Sequence, residues 1–208
     1  NASGGMPSYD DFQAKLEFRP DIYNTFSLLM INGGSFYDRD IDGAIEVGET
    51  EYGRLKNNQT TIGVNYKHIW NKRAYSNTSI SNSIKKSTAH FFNINSDSTV
   101  FNIIENTDVR SLRQVNYFKI GPESKMEFGF DAENNETDYN YYRKLPKSSI
   151  FINEIQFDRV VSTTNYAAFI TLKQNLFSRL ILSAGMRLDH NDYEKINLWS
   201  PRINLDYE

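Results

Sequence analysis

The stretch of this chain most nearly arranged for chemistry is DRDIDGAIEVGE, Asp38 to Glu49. Acids stand at its first, third and fifth places, glycine at the sixth and glutamate at the twelfth, which is the template of a helix-flanked calcium loop. Alternate carboxylates in a tight loop converge on one cation, and Gly43 permits the sharp turn. The template also needs a helix on each side. Here Gly33-Gly34-Ser35-Phe36-Tyr37 precedes as strand or loop, and Gly48 and Gly53 follow closely, so the paired-helix reading fails on its flanks. Two readings remain. One is a plain turn with Asp42-Gly43 at its tip and Asp38, Asp40 and Asp42 along one edge. The other is an exposed loop in which Asp38, Asp40, Asp42 and Glu49 take up calcium at millimolar concentration.

Other chemistry is sparse. The three histidines, His68, His90 and His190, stand in no ligand spacing, and His190 beside Asn191, Asp192 and Glu194 reads as a solvated junction, so no metal site is assigned to them. The absence of cysteine excludes disulfides, thiolate zinc sites and cysteine nucleophiles. Neither a glycine-rich phosphate loop nor a serine elbow occurs. The pairs Glu105/Asp108 and Asp131/Glu133 become acid-base partners only if the fold converges them. We therefore expect no enzyme and no cofactor. A net charge of −3 gives no footprint for nucleic acid.

The elements that carry these residues announce themselves by period-two alternation. Phe12, Ala14, Leu16 and Phe18 oppose Gln13, Lys15, Glu17 and Arg19. Ile62, Val64 and Tyr66 oppose Gly63, Asn65 and Lys67, and Met126, Phe128 and Phe130 oppose Lys125, Glu127, Gly129 and Asp131. Leu180, Leu182, Ala184, Met186 and Leu188 oppose Arg187 and Asp189 among others, and Ile203, Leu205 and Tyr207 oppose Arg202, Asn204, Asp206 and Glu208. A helix would smear both classes around its axis. Short polar turns at residues 19–21, 71–73, 121–123 and 175–178 alternate with long aperiodic segments at 33–57, 85–108, 131–160 and 189–199. The expectation is all-β: an antiparallel up-and-down meander of about nine strands, a segment of a transmembrane β-barrel with short turns at one end and long loops at the other. Mean hydropathy is −0.59, which such strands produce by averaging lipid-facing with lumen-facing residues. Two strands resist a register. Residues 22–32 have apolar side chains on both faces, and residues 75–84 are polar on both.

Aromatic residues make up 14 % of the chain, the material of interfacial girdles. Trp70, Tyr75, Phe118 and Phe177 are expected to form a girdle beside the short turns, with Tyr139, Tyr141 and Tyr142 in a long loop.

Residues 166–192, YAAFITLKQNLFSRLILSAGMRLDHND, followed by WSPRINLDYE at 199–208, resemble the middle of a TonB-dependent receptor barrel. The elements that carry the resemblance are Tyr166 opening a strand, Gly185-Met186-Arg187-Leu188-Asp189 closing one, and Ser200-Pro201-Arg202 opening the next. YFKIGPESKMEFGFDAENN, residues 117–135, resembles an earlier hairpin of the same barrel. The resemblance implies an outer-membrane transporter for a scarce nutrient such as a metal chelate, a corrinoid or an oligosaccharide. It implies lipid around the barrel and the TonB complex as a partner through a plug region. Such barrels have about 22 strands, and nothing here resembles the plug, so residues 7–208 are expected to be a partial barrel and NASGGM, residues 1–6, a cloning remnant. Lys15, Glu17, Arg19, Lys125, Glu127, Arg187, Asp189, Arg202 and Asp206 form the expected lumen wall. Arg187, Asp189, Arg202 and Asp206 are its candidate ligand contacts. The competing expectations are a soluble extracellular sheet module or adhesin, and a small complete barrel.

Overall fold

The structure is a computed structural model that describes residues 7–145, 154–176 and 180–207. Residues 1–6 and Phe177 lie outside the described residues, and with them the expected remnant and one expected girdle member. Nine strands form a single sheet in chain order: β1 (Ser8–Phe18), β2 (Asn24–Arg39), β3 (Glu51–Asn71), β4 (Ala74–Asn93), β5 (Thr99–Lys119), β6 (Ser124–Lys144), β7 (Glu154–Leu176), β8 (Leu180–Asn191) and β9 (Ile196–Tyr207). Every neighbouring pair is antiparallel, as the meander required. Strand β1 pairs with β2 and β9 with β8, so the sheet is open rather than a small closed barrel.

The registers carry each strand's alternation across the sheet. Leu16 lies opposite Leu28, Leu28 opposite Val64, Val64 opposite Ile80 and Ile80 opposite Leu112. The expected apolar rows thus join into one belt that ends at Met186, Ile203 and Leu205. Among the described residues no layer covers the belt, and Leu16 and Ile203 remain 68 % and 76 % exposed. The opposite face is the concave one: the cavities lined by Tyr75, Tyr117 and Glu127 and by Arg113, Asp131 and Arg187 open on it, and Ala89, Val115, Thr137 and Ala167 are buried there. Both doubtful registers resolve. In β2, Phe26, Leu28 and Met30 join the belt while Leu29 and Ile31 face the concave side beside Gly63 and Thr61. In β4, Ile80 and Ile84 supply the belt, and Ser79, Ser81 and Ser83 turn inward.

The belt runs from Trp70 to Ile62 on β3, from Leu180 to Leu188 on β8 and from Tyr207 to Trp199 on β9. Each run is nine residues, the length of a tilted membrane-spanning strand. Yet β3 to β7 are 20 to 23 residues long. Here the structure corrects the sequence reading. Most of the expected long loops at 33–57, 85–108 and 131–160 is strand, and the described connections shorten to residues 40–50, 94–98 and 192–195. Beyond the belt both faces are polar, as in Asn134-Asn135-Glu136-Thr137-Asp138, so the hydrophobic period that marks a strand vanishes while the backbone ladder continues.

Side chains close the turns. Asp21 accepts from the Tyr23 and Asn24 backbone N–H groups at 2.7 and 2.8 Å, Asn71 from Arg73 N–H at 2.7 Å, and Asn191 from Glu194 N–H at 2.8 Å, each an Asx-type closure. At the girdle, Phe26 stacks on Tyr66 at 4.6 Å and His68 meets Trp70 edge-on at 4.4 Å. Phe118 stacks on Phe128 at 5.7 Å. Tyr75 departs from the expectation, since it faces the concave side and stacks on Tyr117 at 4.4 Å.

Candidate functional site

The opening motif adopts neither form expected of it. Residues Ile41–Glu46 form a short helix, α1, with Asp40 as N-cap; its Oδ1 accepts from Gly43 N–H at 2.8 Å. Gly48, at φ +73°, ends the helix, with Glu49 N–H donating to Ala44 C=O at 2.9 Å and Gly48 N–H to Ile45 C=O at 3.1 Å. Asp42-Gly43 is therefore inside a helix, not at a hairpin tip, and Asp38, Asp40 and Asp42 stand on the strand, at the N-cap and in the helix in turn. Glu49 lies 3.7 Å from Arg39, and among the described residues no three acid, histidine or cysteine side chains group as metal ligands. The signal that decides for a helix is Asp40 three residues ahead of Gly43, with Ala44 filling the buried side.

The concave face holds the cluster best built for recognition. Arg113 on β5 lies opposite Asp131 on β6, Asp131 opposite Ala167 on β7, and Ala167 opposite Asp189 on β8. Because Ala167 is small and buried, Arg187 reaches across β7, and its Nη1 donates to Asp131 Oδ2 at 2.8 Å. Its Nε donates to Asp189 Oδ1 and Oδ2 at 2.8 and 3.1 Å. Arg113 Nε stands 3.5 Å from Asp131 Oδ1, which is buried and accepts no hydrogen bond. Phe169 completes the group, with the Arg113 and Arg187 guanidinium carbons 5.7 and 5.9 Å from its ring centre. Gly129 makes room for that ring: a Cβ there would stand 2.9 Å from Phe169 Cζ and 2.1 Å from the Gln114 carbonyl oxygen. The cluster lines a cavity of about 300 Å³.

Of the four expected contact residues, Arg187 and Asp189 are thus joined. Arg202 and Asp206 face the same side from β9, opposite Gly185 and Ile181, but take no part in the cluster. Lys15 and Arg19 both pair with Glu17 on β1. Arg113 and Phe169 were not singled out by sequence. The available signal was the repeated spacing Gly129-x-Asp131 and Gly185-x-Arg187, which places a charge two residues beyond a glycine on the same face of two strands.

Toward the long-connection end, the concave face carries an aromatic lane. Phe91 meets Phe101 at 6.4 Å, Phe101 meets Tyr141 edge-on at 5.7 Å, and Tyr141 stacks on Phe157 at 4.9 Å. Tyr141, expected in a loop, is therefore part of a four-strand ring ladder. Phe91, Phe101, Arg143 and Lys144 line a cavity of about 850 Å³ beside it. Nearby, Tyr52 donates to Asp97, which pushes the phenol above its ordinary ionisation range.

An uncovered nine-residue apolar belt around a concave polar wall is the construction of a membrane barrel, and the TonB-dependent receptor-like β-barrel family model matches residues 3–208. The chain belongs to the TonB-dependent receptor β-barrel family. No curated protein matches it by sequence. Among solved structures it is similar to FpvA of P. aeruginosa bound to pyoverdines (TM-score 0.73, 12 % identity, 99 % of this chain and 34 % of that one). It is also similar to the outer membrane transporter YddB of Escherichia coli (0.68, 12 %, 96 % and 29 %) and to BauA, the ferric preacinetobactin receptor of Acinetobacter baumannii (0.65, 9 %, 98 % and 37 %). At these identities the likeness shows the fold alone. The chain spans about a third of the length of these transporters. In a TonB-dependent receptor barrel the belt faces lipid and the concave wall faces the lumen.

Proposed function

We propose that this chain is the barrel wall of an outer-membrane receptor that captures and imports a scarce nutrient, acting with a plug region and the TonB complex and performing no covalent chemistry. The observation that carries the reading is the continuous outward belt of nine-residue runs beneath strands twice that length. It fits a barrel anchored in lipid whose upper wall stands in the external medium. Capture belongs to the aromatic lane, where Phe101, Tyr141 and Phe157 offer ring faces for planar or sugar-like groups and Arg143 offers a cation. The Arg113–Asp131–Arg187 cluster braces the wall below it, while Arg202 and Asp206, which form no ion pair among the described residues, are lumen residues left to meet a ligand, the plug or further strands. A metal chelate, a corrinoid and an oligosaccharide all suit such a surface. BauA and FpvA, described with ferric preacinetobactin and with pyoverdines, make the chelate the first class to test.

The test is growth of the source bacterium on each nutrient class, supplied as the limiting source, with the full-length gene intact, deleted, or carrying Phe101→Ala with Tyr141→Ala. One class should lose at least tenfold in uptake in both altered strains, and only when TonB is functional in the parent. Recovery of the full-length protein as a soluble, detergent-free monomer outside the outer membrane would overturn the reading.

A further inference from the structure

At the short-turn end of the concave face, four cations stand side by side. Lys119 N–H donates to the Arg73 carbonyl at 2.7 Å, Lys119 lies opposite Lys125, and Lys125 lies opposite Lys173. Arg73 stands at the entry to β4 and the lysines on β5, β6 and β7, and Ser183 on β8 continues the row. The three lysines are two residues along from Tyr117, Glu127 and Thr171, so they share the face of the Tyr75–Tyr117 stack. Row and stack line one cavity of about 550 Å³. Arg73 and the lysines are exposed, and among the described residues none of the four forms an ion pair. Of the two acids nearby, Glu127 lines the same cavity and forms no ion pair either, while Glu123 in the β5–β6 turn accepts from Asn175 Nδ2 at 2.9 Å.

Like charges directly opposite each other on a ladder destabilise it, and here two such pairs follow in succession. Higher on the same face, Arg113 and Arg187 bring their own carboxylates, and over β2 to β4 amides and hydroxyls keep the wall polar. Neither need explains four uncompensated cations at one mouth. An anion offsets them, and the row selects its kind. Four positions span three strand spacings, roughly 14 Å, so a single small anion leaves part of the row uncompensated. A solute with several carboxylates about one strand spacing apart engages the whole row, while Tyr75 and Tyr117 lie against its carbon skeleton. The site is separate from the aromatic lane, since Lys125 stands 16 residues below Tyr141 on β6, roughly 40 Å on a tilted strand.

We infer that Arg73, Lys119, Lys125 and Lys173 form an exit-side site for a polycarboxylate solute, holding it at the short-turn mouth after it leaves the capture surface. The inference rests on the transporter reading, which makes this mouth the exit. The probe is benzene-1,3,5-tricarboxylate, whose carboxylates stand about one strand spacing apart, with benzoate as the single-carboxylate control. Full-length receptor in detergent, wild type and K119Q/K125Q/K173Q, is titrated with each by calorimetry. Wild type should bind the tricarboxylate about tenfold more tightly than benzoate, and the triple variant should bind it about thirtyfold more weakly than wild type, at roughly threefold per charge. K119R/K125R/K173R, which keeps the charges, should bind as wild type does, and wild-type affinity should fall as salt rises. Equal tricarboxylate binding by wild type and K119Q/K125Q/K173Q overturns the inference, as does a wild type that binds none because carboxylates of the plug region already fill the row. If the triple variant fails to insert, K125Q decides: binding about threefold weaker upholds the site, and unchanged binding removes it. A receptor whose nutrient uptake depends on TonB but which does not prefer the tricarboxylate to benzoate loses this site and keeps the transporter reading.

Discussion

Over β2 to β4 the side-chain hydrogen bonds in the middle of the lumen wall join uncharged groups, with Lys85 standing opposite Gln59, whereas over β5 to β8 the wall is a lattice of charges around an aromatic ring. In the first region Ser87 donates to Asn57 at 2.7 Å, Asn57 to Ser35 at 3.2 Å, Gln59 to Ser83 at 3.2 Å and Asn65 to Ser79 at 2.7 Å. In the second, Asp131 sits between two arginines and Arg187 between two aspartates. Both regions keep the wall polar, but they fail differently when one member is lost. Water replaces a missing amide or hydroxyl partner at little cost, since the net worth of such a bond is about 1 kcal/mol. A missing carboxylate leaves the part-buried Arg187 guanidinium facing the exposed one of Arg113. The neutral side is tolerant and the charged side is braced.

Four experiments put that contrast under strain. The largest effect is expected from Gly129→Val, which drives a side chain into the Phe169 ring and the Gln114 carbonyl; urea unfolding of the full-length barrel in detergent should show a loss of about 3 kcal/mol. Next comes Asp131→Ala, at about 2 kcal/mol in the same measurement, after discounting for the partial exposure of the pair. A double-mutant cycle of Asp131→Ala with Arg187→Ala should then return a coupling above about 1 kcal/mol, and the same cycle on Gln59 and Ser83 less than about 0.5 kcal/mol. Equal couplings would erase the distinction between the two regions. The smallest effect concerns the turn below the neutral region. Hydrogen bonds from the Asn24 side chain and the Tyr23 backbone hold the Asp21 carboxyl below the ordinary aspartate range. A depressed carboxyl contributes stability that is complete above its unfolded value and lost as pH falls through its folded one. Amide exchange at Tyr23 and Asn24 should therefore stay slow through mildly acidic pH and quicken only below the usual carboxylate titration, and Asp21→Asn should flatten that dependence.

Legibility followed burial contrast. Strands β1, β8 and β9 could be read almost residue by residue, because lipid on one face and a polar lumen on the other impose a strict period of two on Phe12 to Phe18, Leu180 to Leu188 and Ile203 to Tyr207. Where the contrast ends, so does the signal. Asn134 to Asp138 pair as regularly as any residues in the sheet, but with water on both sides no pattern distinguishes them from loop. The site was half legible for a related reason. Arg187 and Asp189 stood in a strand with clear alternation, whereas Arg113 lies in a stretch with polar residues on both sides. Phe169, apolar yet facing the lumen, breaks the very rule used to find strands, and only Gly129 on the neighbouring strand explains how it fits. The misreading of Asp38 to Glu49 was one of scale: spacing suited to an ion is equally the spacing of an N-capped helical turn.

Because β3 to β7 run about ten residues past the belt, the barrel continues upward as a hydrogen-bonded collar on the order of 25–30 Å tall. Among the described residues, the connections at this rim are the short ones at 94–98 and 192–195 and the helix-bearing one at 40–50. Along the described part of β3 to β7, a solute arriving at the rim therefore meets hydrogen-bonded strand for most of the way down to the belt.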